Sequence, residues 1–416
     1  ALDAMGAVKR RWSLWVPGRI EVLGKHTDYA GGRSLVCALE RGVWVRVAPR
    51  KDPILRVRSL NQKASFTTSL ATPGSGIPGS WTQYVATVAR RLTVNFTADW
   101  RGADIALASD LPPDAGMSSS SALVVATFIA LSKSNDLRSN PIFRELISSS
   151  EELAGYLGAV ENGRVFRHLG TGADAGVGTH GGSQDHTAIL CSEPDRLARF
   201  AWDPLRREGL LPVPPGHVFA LGSCGVHAAK TSSALAKYNR VSLAASRLLA
   251  LWNRDTGRSD RTLGAVLGTV DGAAGQLQRL ARRARGRFPA SYLVGRLEQF
   301  VRETYEIIPA ATDALERGAL VEFGVVVDHS QHLVEAHLGN QVPETVTLQR
   351  SARDLGAAAA SAFGAGFGGS VWALVPDSEA KAFLRRWSAA YRKAHPRPAK
   401  ESVFFLSRAG PHGYQF

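Results

Sequence analysis

The stretch SDLPPDAGMSSSSALVVATFIAL, Ser109–Leu131, constrains the fold more than any other part of the chain. A short strand-like run, ADIALASDLP, meets Pro112 and Pro113, then Gly116, then four serines, then an unbroken apolar run of helical character from Ser121 to about Leu131. The first turn of a helix leaves several N–H groups without partners and carries partial positive charge. One serine is enough to cap a helix. Four serines beside a glycine fit an anion site, where a phosphate can approach the backbone and small hydroxyls add hydrogen bonds or bind Mg²⁺. A strand–turn–helix joint of this kind implies a mixed α/β protein.

The rest of the chain surrounds that joint with both kinds of element. RRWSLWVPG and SLVCALERGVWVRVAPR read as strands, and DPILRVRSL continues the β character. Residues 61–80 are rich in Ser, Thr, Gly and Pro and read as turn and loop. WTQYVATVARRL has helical spacing, with Trp81, Tyr84, Val85 and Val88 on one side. Two further helical stretches lead to Glu161, and the glycine-rich HLGTGADAGVGTHGGSQDH is too long for a passive connection. TAILCS and LARFAW read as strands after it. HVFALGS is a strand, residues 227–338 are mostly helical, an alanine-rich helix precedes GAGFGG, and SVWALV and ESVFFLS are late strands. At 416 residues, two or three domains are expected. The prolines of LLPVPPGH place a boundary there, giving domains 1–210 and 211–416.

Composition narrows the class. The longest apolar runs are shorter than a membrane span. No leader pattern opens the chain, and Cys37, Cys191 and Cys224 lack disulfide or metal-ligand spacing. A cytoplasmic protein without a membrane partner is expected. The net charge of +14 invites a nucleic-acid partner. The excess is mostly arginine spread along the chain, without a recognition motif or an aromatic–basic ladder, so no nucleic-acid partner is expected. Such a field also attracts anionic small molecules.

Two literal motifs fail on context. GRIEVLGKHT places five residues between Gly18 and Gly24 and has His26 where a Walker loop needs Ser or Thr. GAGFGG, Gly364–Gly369, matches a dinucleotide fingerprint in letters, but a strand follows it where a helix is required. A glycine turn packed against a phosphate loop remains open. The stretch PGRIEVLGKHTDYAGG concentrates Arg, Lys, His, Asp and Tyr between glycines, more than an idle loop needs.

Taken in order, GRIEVLGKHTDYAGG, LPPDAGMSSSSAL and SAFGAGFGGSVWALV resemble the three signatures of the GHMP small-molecule kinases, the first in its galactokinase form. WTQYVATV, SALAKYNR and SQHLVEAHLGNQVPE are further echoes, so the resemblance spans nearly the whole chain. It implies an α/β (α+β), two-lobed GHMP kinase fold with the active site in the cleft between the lobes. It also implies transfer of the γ-phosphoryl of ATP to the anomeric hydroxyl of a hexose, with Mg²⁺; the expected partners are the sugar and ATP, in a monomer, with a dimer as the alternative. By the same resemblance, Asp185 is the catalytic carboxylate, in a GGSQDH loop close to the GGWQDQ of heptose and fucose kinases. Arg19 lies between that carboxylate and the phosphoryl group. Lys25, His26, Asp28, Gly182 and Tyr238 line the sugar. Ala115, Gly116, Met117, Ser118, Ser119, Ser120 and Ser121 hold the phosphates, Trp81 lies near the adenine, and Ser120 and Glu161 bind Mg²⁺. His180 and His186 flank the loop without a completing ligand set and read as loop structure or substrate contacts.

Three departures bear on the substrate. Lys25 stands where galactokinases have a glutamate that contacts the C6 hydroxyl, Asp114 replaces a glycine of the phosphate loop, and the loop before Asp185 is longer. Lys25 is expected to turn outward, to pair with Asp28 or Glu21, or to read an anionic C6 group. Another aldose, a deoxy sugar, a uronate, a pentose or a heptose is the alternative to galactose, and a non-catalytic sugar sensor is the alternative to an enzyme.

Overall fold

The computed structural model describes residues 11–170, 174–226 and 232–415; part of the glycine-rich loop and the start of the predicted 227–338 helical region lie outside them. The N-terminal half contains strands β1 (Trp12–Leu23), β2 (Arg33–Pro49), β3 (Ile54–Ser59) and β4 (Ala64–Ser69), helix α1 (Trp81–Asn95), strand β5 (Ala103–Ser109), and helices α2 (Ser119–Ser134), α3 (Pro141–Leu146), α4 (Ser150–Glu161) and α5 (Gln184–Cys191). Strands β6 (Arg196–Trp202), β7 (Leu205–Pro212) and β8 (His217–Ser223) follow. Then come α6 (Ser232–Thr256), α7 (Leu263–Thr269), α8 (Ala273–Arg283), α9 (Ala290–Arg302), a π-helical turn at Glu303–Ile307, α10 (Ile308–Glu316), α11 (Leu320–His337) and α12 (Pro343–Asp354). The chain closes with β9 (Ala359–Phe363), β10 (Ser370–Pro376), α13 (Ala380–Ala394), β11 (Val403–Ser407) and β12 (Tyr414–Gln415).

Two sheets organise these elements. The eight-stranded sheet has the order β12-β1-β2-β5-β3-β4, with β6 on β2 and β7 on β6. Long β2 pairs through Val43–Pro49 with β5 and through Arg33–Val36 with β6. The second sheet is β11-β8-β10-β9, antiparallel throughout. The change of sheet falls between Pro212 and His217, and β12 returns to pair with β1.

Burial follows the expected periods. Along β10, Val371, Ala373 and Val375 enter one apolar cluster, while Trp372 and Leu374 enter another on the opposite face. Helix α2 is buried nearly all round, from Ser121 through Ser132, which explains its unbroken apolar sequence. It packs on β1 and β2 beneath α1, α4 and α5, so its N-terminus is held from several sides.

Three local expectations are corrected. Residues 64–69, read as loop, form β4. TAILCS, read as a strand, lies in α5 and just beyond it, on the helix that carries Asp185. The alanine-rich segment before GAGFGG is not a helix: β9 precedes the glycines, which therefore turn a β-hairpin. Alanine favours helix locally, but every residue of β9 is buried, and small side chains fit a strand covered by α11 and α12.

Candidate active site

Strand β1 delivers the first functional group. Arg19 is buried, and its Nε donates to Asp185 Oδ1 at 2.8 Å, with Nη2 also 2.8 Å from that oxygen. Its Nη1 donates to the carbonyl of Gly116 in the turn before α2, and its backbone N–H to Met117 O at 3.2 Å. One guanidinium thus ties the acidic helix start to the serine-rich helix start, a task suited to its rigid fork of donors. The Asp185 side chain is 32% exposed against 5% for Arg19. Asp185 sits in the first turn of α5, where a carboxylate also gains from the helix dipole.

The loop leading to Asp185 is held from both halves of the molecule. Asn162 Oδ1 accepts from Thr179 Oγ1 and Gly181 N, both at 2.7 Å, while its Nδ2 donates to Gly158 O and Gly182 O. On α6, Asn239 accepts from His180 N at 3.0 Å and donates to Gly178 O at 3.0 Å. Gly182 cannot carry a side chain, because a Cβ there would lie 2.3 Å from Asp28 Oδ2. That same Asp28 oxygen accepts from Gln184 N at 3.2 Å, and burial pushes its carboxyl above the usual range. Tyr238, on α6, reaches the loop near Gly181 and lies 6.3 Å from the His26 ring.

His26 occupies the left-handed region, at φ 58°, uncommon for any residue but glycine, though histidine adopts it more readily than most. Its carbonyl accepts from the fully buried Arg296 at 2.6 Å. Its Nδ1 lies 3.0 Å from Tyr29 Oη, and its Nε2 lies 3.3 Å from Ala365 O and 3.2 Å from Asn340 Nδ2. Burial, reinforced by Arg296, pushes its pKa down to about 4, so the ring is neutral at physiological pH.

Lys25 is only 1% exposed, so it does not turn outward. Its Nζ donates to Ser361 Oγ at 2.6 Å and Ser330 Oγ at 3.3 Å. Ser330 in turn donates to Glu303 Oε2 at 2.8 Å, and the other Glu303 oxygen accepts from Gly24 N at 2.7 Å. Burial lowers the Lys25 pKa, and the Glu303 and Glu21 carboxylates oppose that shift. The hydrogen bonds of Lys25 run to β9 and α11, not to Asp28 or Glu21.

At the serine-rich start of α2, Gly116 and Ser118 have positive φ, and the buried Ser118 Oγ has no hydrogen-bond partner. Ser119 is exposed and Ser120 half-buried. Ser121 reaches Glu161, its Oγ donating to Oε2 at 2.9 Å. His186 Nε2 lies 2.9 Å from the same oxygen. Among the described residues, no group of three or more His, Cys, Asp or Glu side chains forms a metal cluster. Asp114 is exposed, at φ 50°. Trp81 opens α1 and packs half-buried against the main core.

The glycine hairpin abuts this turn. A Cβ on Gly364 would lie 2.8 Å from Gly116 O, one on Gly369 3.4 Å from Ala115 O, and Ser370 Oγ donates to Ala115 O at 2.7 Å. The three sequence signatures therefore meet in space.

Comparison with known proteins agrees with that convergence. The galactokinase galactose-binding signature matches residues 9–49, the GHMP kinase N-terminal domain residues 83–192, and the GHMP kinase C-terminal domain residues 311–393. The chain is a GHMP kinase of the galactokinase-like type. It is 29% identical to the galactokinase of Roseiflexus sp. (strain RS-1), over 92% of this chain and 88% of the relative. To the galactokinase of Glaesserella parasuis serovar 5 it is 26% identical, over 92% and 89%. The fold matches Lactococcus lactis galactokinase, solved with galactose, at TM-score 0.81 and 22% identity over 100% of this chain and 97% of that one. The Methanococcus jannaschii mevalonate kinase aligns more loosely, at TM-score 0.57 and 13% identity over 97% and 99%. As a member of this family the kinase uses ATP. No helix among the described residues of the kinase is long and apolar enough to cross a membrane.

Sequence reading passed over several residues that build the site. Asn162 and Asn239 stand next to Glu161 and Tyr238 in VENG and KYNR, and that adjacency was the available signal. Arg296 and Glu303 hold His26 and Gly24, in the loop after β1, from far along the chain and had no local signal.

Proposed function

We propose that this kinase transfers the γ-phosphoryl group of ATP to the C1 hydroxyl of galactose, giving the sugar 1-phosphate. The observation that carries the reading is the half-exposed Asp185 carboxylate, held by Arg19 within one hydrogen bond of the serine-rich turn. Phosphoryl transfer needs alignment and stabilisation of charge on the transferred oxygens more than covalent chemistry. Asp185 accepts the proton of the attacking hydroxyl as the bond to phosphorus forms. Arg19 keeps that carboxylate ionised beforehand and stabilises the charge spreading on the phosphoryl oxygens. The backbone and hydroxyls of Ala115–Ser121 bind the phosphates, and Trp81 borders the adenine. His26, Asp28, Gly182 and Tyr238 define the sugar side.

The donors near the turn fit Mg²⁺: a buried carboxylate, serine hydroxyls and the orphaned Ser118 oxygen are hard oxygen ligands. Glu161 with Ser120 would hold the ion, whose contribution is to neutralise charge on the phosphate oxygens.

Lys25 bears on the choice of sugar. Its ammonium is compensated internally by two serine hydroxyls and, through Ser330, by Glu303, which favours a neutral C6 end over a uronate. The test is one kinetic panel with ATP and Mg²⁺: galactose, 6-deoxygalactose, galacturonate, arabinose, glucose, mannose and heptoses. Galactose is expected to give the highest kcat/KM; preference for galacturonate would overturn the reading of Lys25, and turnover of none would overturn the reaction.

A further inference from the structure

Behind the Arg19–Asp185 pair lies a second carboxyl group. Glu21, two residues after Arg19 on β1, is 4% exposed. Its Oε2 accepts from the side-chain amide of Gln184, the residue before Asp185. Its Oε1 is buried without a hydrogen-bond partner.

Donor and acceptor logic fixes that amide. Trp202 Nε1 can only donate, and it donates to Ser34 Oγ at 2.9 Å. The Ser34 proton then has Gln184 Oε1 as its nearest acceptor, at 2.6 Å, ahead of Thr27 Oγ1 at 3.2 Å and Gly24 O at 3.4 Å. The amide nitrogen therefore faces Glu21, while the backbone N–H of Gln184 is held by Asp28. Both ends of the residue that starts α5 are pinned, one of them by Glu21.

We propose that Glu21 is a positioning residue for phosphoryl transfer, which anchors the start of α5 through Gln184 and does so as an uncharged, protonated carboxyl. This rests on the proposed reaction and on Asp185 as its base. An ionised carboxylate with one oxygen unpartnered and out of water is costly. It would also compete with Asp185 for Arg19. The charged groups that bear on it are Arg19 on its own strand, Lys25 in the following loop and Asp185 on α5. Burial outweighs the two cations and pushes the Glu21 pKa up to about 7. Below that pH, Asp185 meets Arg19 without competition from Glu21. Above it, a second negative charge divides the guanidinium and faces the incoming phosphates, so turnover falls.

Two variants and two readouts test the proposal. Glu21→Ala frees the Gln184 amide and should lower kcat at pH 6.5 about tenfold or more, with the KM for ATP little changed. Glu21→Gln mimics the protonated form and should recover most of that loss. It should also remove the alkaline fall in kcat expected of the wild type near pH 7. Equal losses in both variants, or an unchanged alkaline limb in Glu21→Gln, would overturn the proposal. The second readout needs no substrate. A raised carboxyl pKa makes the folded state bind the extra proton, so wild-type stability falls relative to Glu21→Gln as the pH rises from about 5 to about 7, then levels. A melting-temperature difference that is flat across that range would refute the protonated carboxyl whether or not the sugar is phosphorylated. The stability shift without turnover on any sugar would instead remove the proposed reaction and, with it, the positioning role.

Discussion

Five residues separate Arg19 from Lys25, and each is a buried cation that faces a carboxylate brought from far along the chain. Arg19 meets Asp185 directly, and that carboxylate is 32% exposed. Lys25 meets Glu303 through Ser330, and both ends are fully enclosed. The first pair keeps its carboxylate partly exposed. The second has its hydrogen bonds turned inward, to Gly24, Ser330 and Ser361, and fastens the loop after β1 to β9, α11 and the π-helical turn. On the proposed mechanism, the same residue types serve chemistry in one place and architecture in the other, and accessibility separates the two.

The comparison can be broken most sharply at Asp185. Asp185→Asn keeps the shape and removes the proton acceptor, and kcat should fall about a thousandfold while ATP affinity changes little. Arg19→Ala should come next, with a loss of about a hundredfold, only partly restored by Arg19→Lys, because an ammonium cannot span Asp185 and Gly116 with a fork. Steady-state kinetics and nucleotide titration separate these outcomes from loss of fold.

At the second pair the expected effects exchange places. Lys25→Met strands Glu303 in the interior and should cost about 3 kcal/mol of stability by denaturant unfolding, as removal of one partner from a buried charge pair does. The folded fraction should keep most of its kcat. A large loss of kcat with full stability would make Lys25 a substrate contact.

The smallest effect concerns the hydroxyls of α2. Ser120→Ala should raise the Mg²⁺ concentration needed for half-maximal rate a few-fold if Ser120 is the ligand. The hydrogen bond from Ser121 to Glu161 makes Ser121→Ala the sharper control. Unchanged metal dependence in Ser120→Ala together with a shift in Ser121→Ala would move the ligand by one residue.

What was legible in the sequence follows the same division. Arg19, Asp185, the serine-rich turn and the glycine hairpin stand in compact motifs, so their residues could be named and their meeting anticipated. Ser330, Ser361, Glu303 and Arg296 are joined to Gly24, Lys25 and His26 only by tertiary packing, and nothing near Lys25 in the chain announces them. The helical TAILCS and the extended AASAF were misread because short apolar runs carry no decisive period. Partners elsewhere decided both: α4 packs along α5, and β10 pairs with β9.

The most direct measurement of the central claim is the identity of the product. The kinase is incubated with ATP, Mg²⁺ and galactose labelled with ¹³C at C1, and the products are followed by ³¹P and ¹³C NMR. The account predicts a single phosphorylated sugar whose phosphorus couples to the labelled carbon, absent with Asp185→Asn. Phosphate on another carbon, or undiminished product from Asp185→Asn, would contradict it.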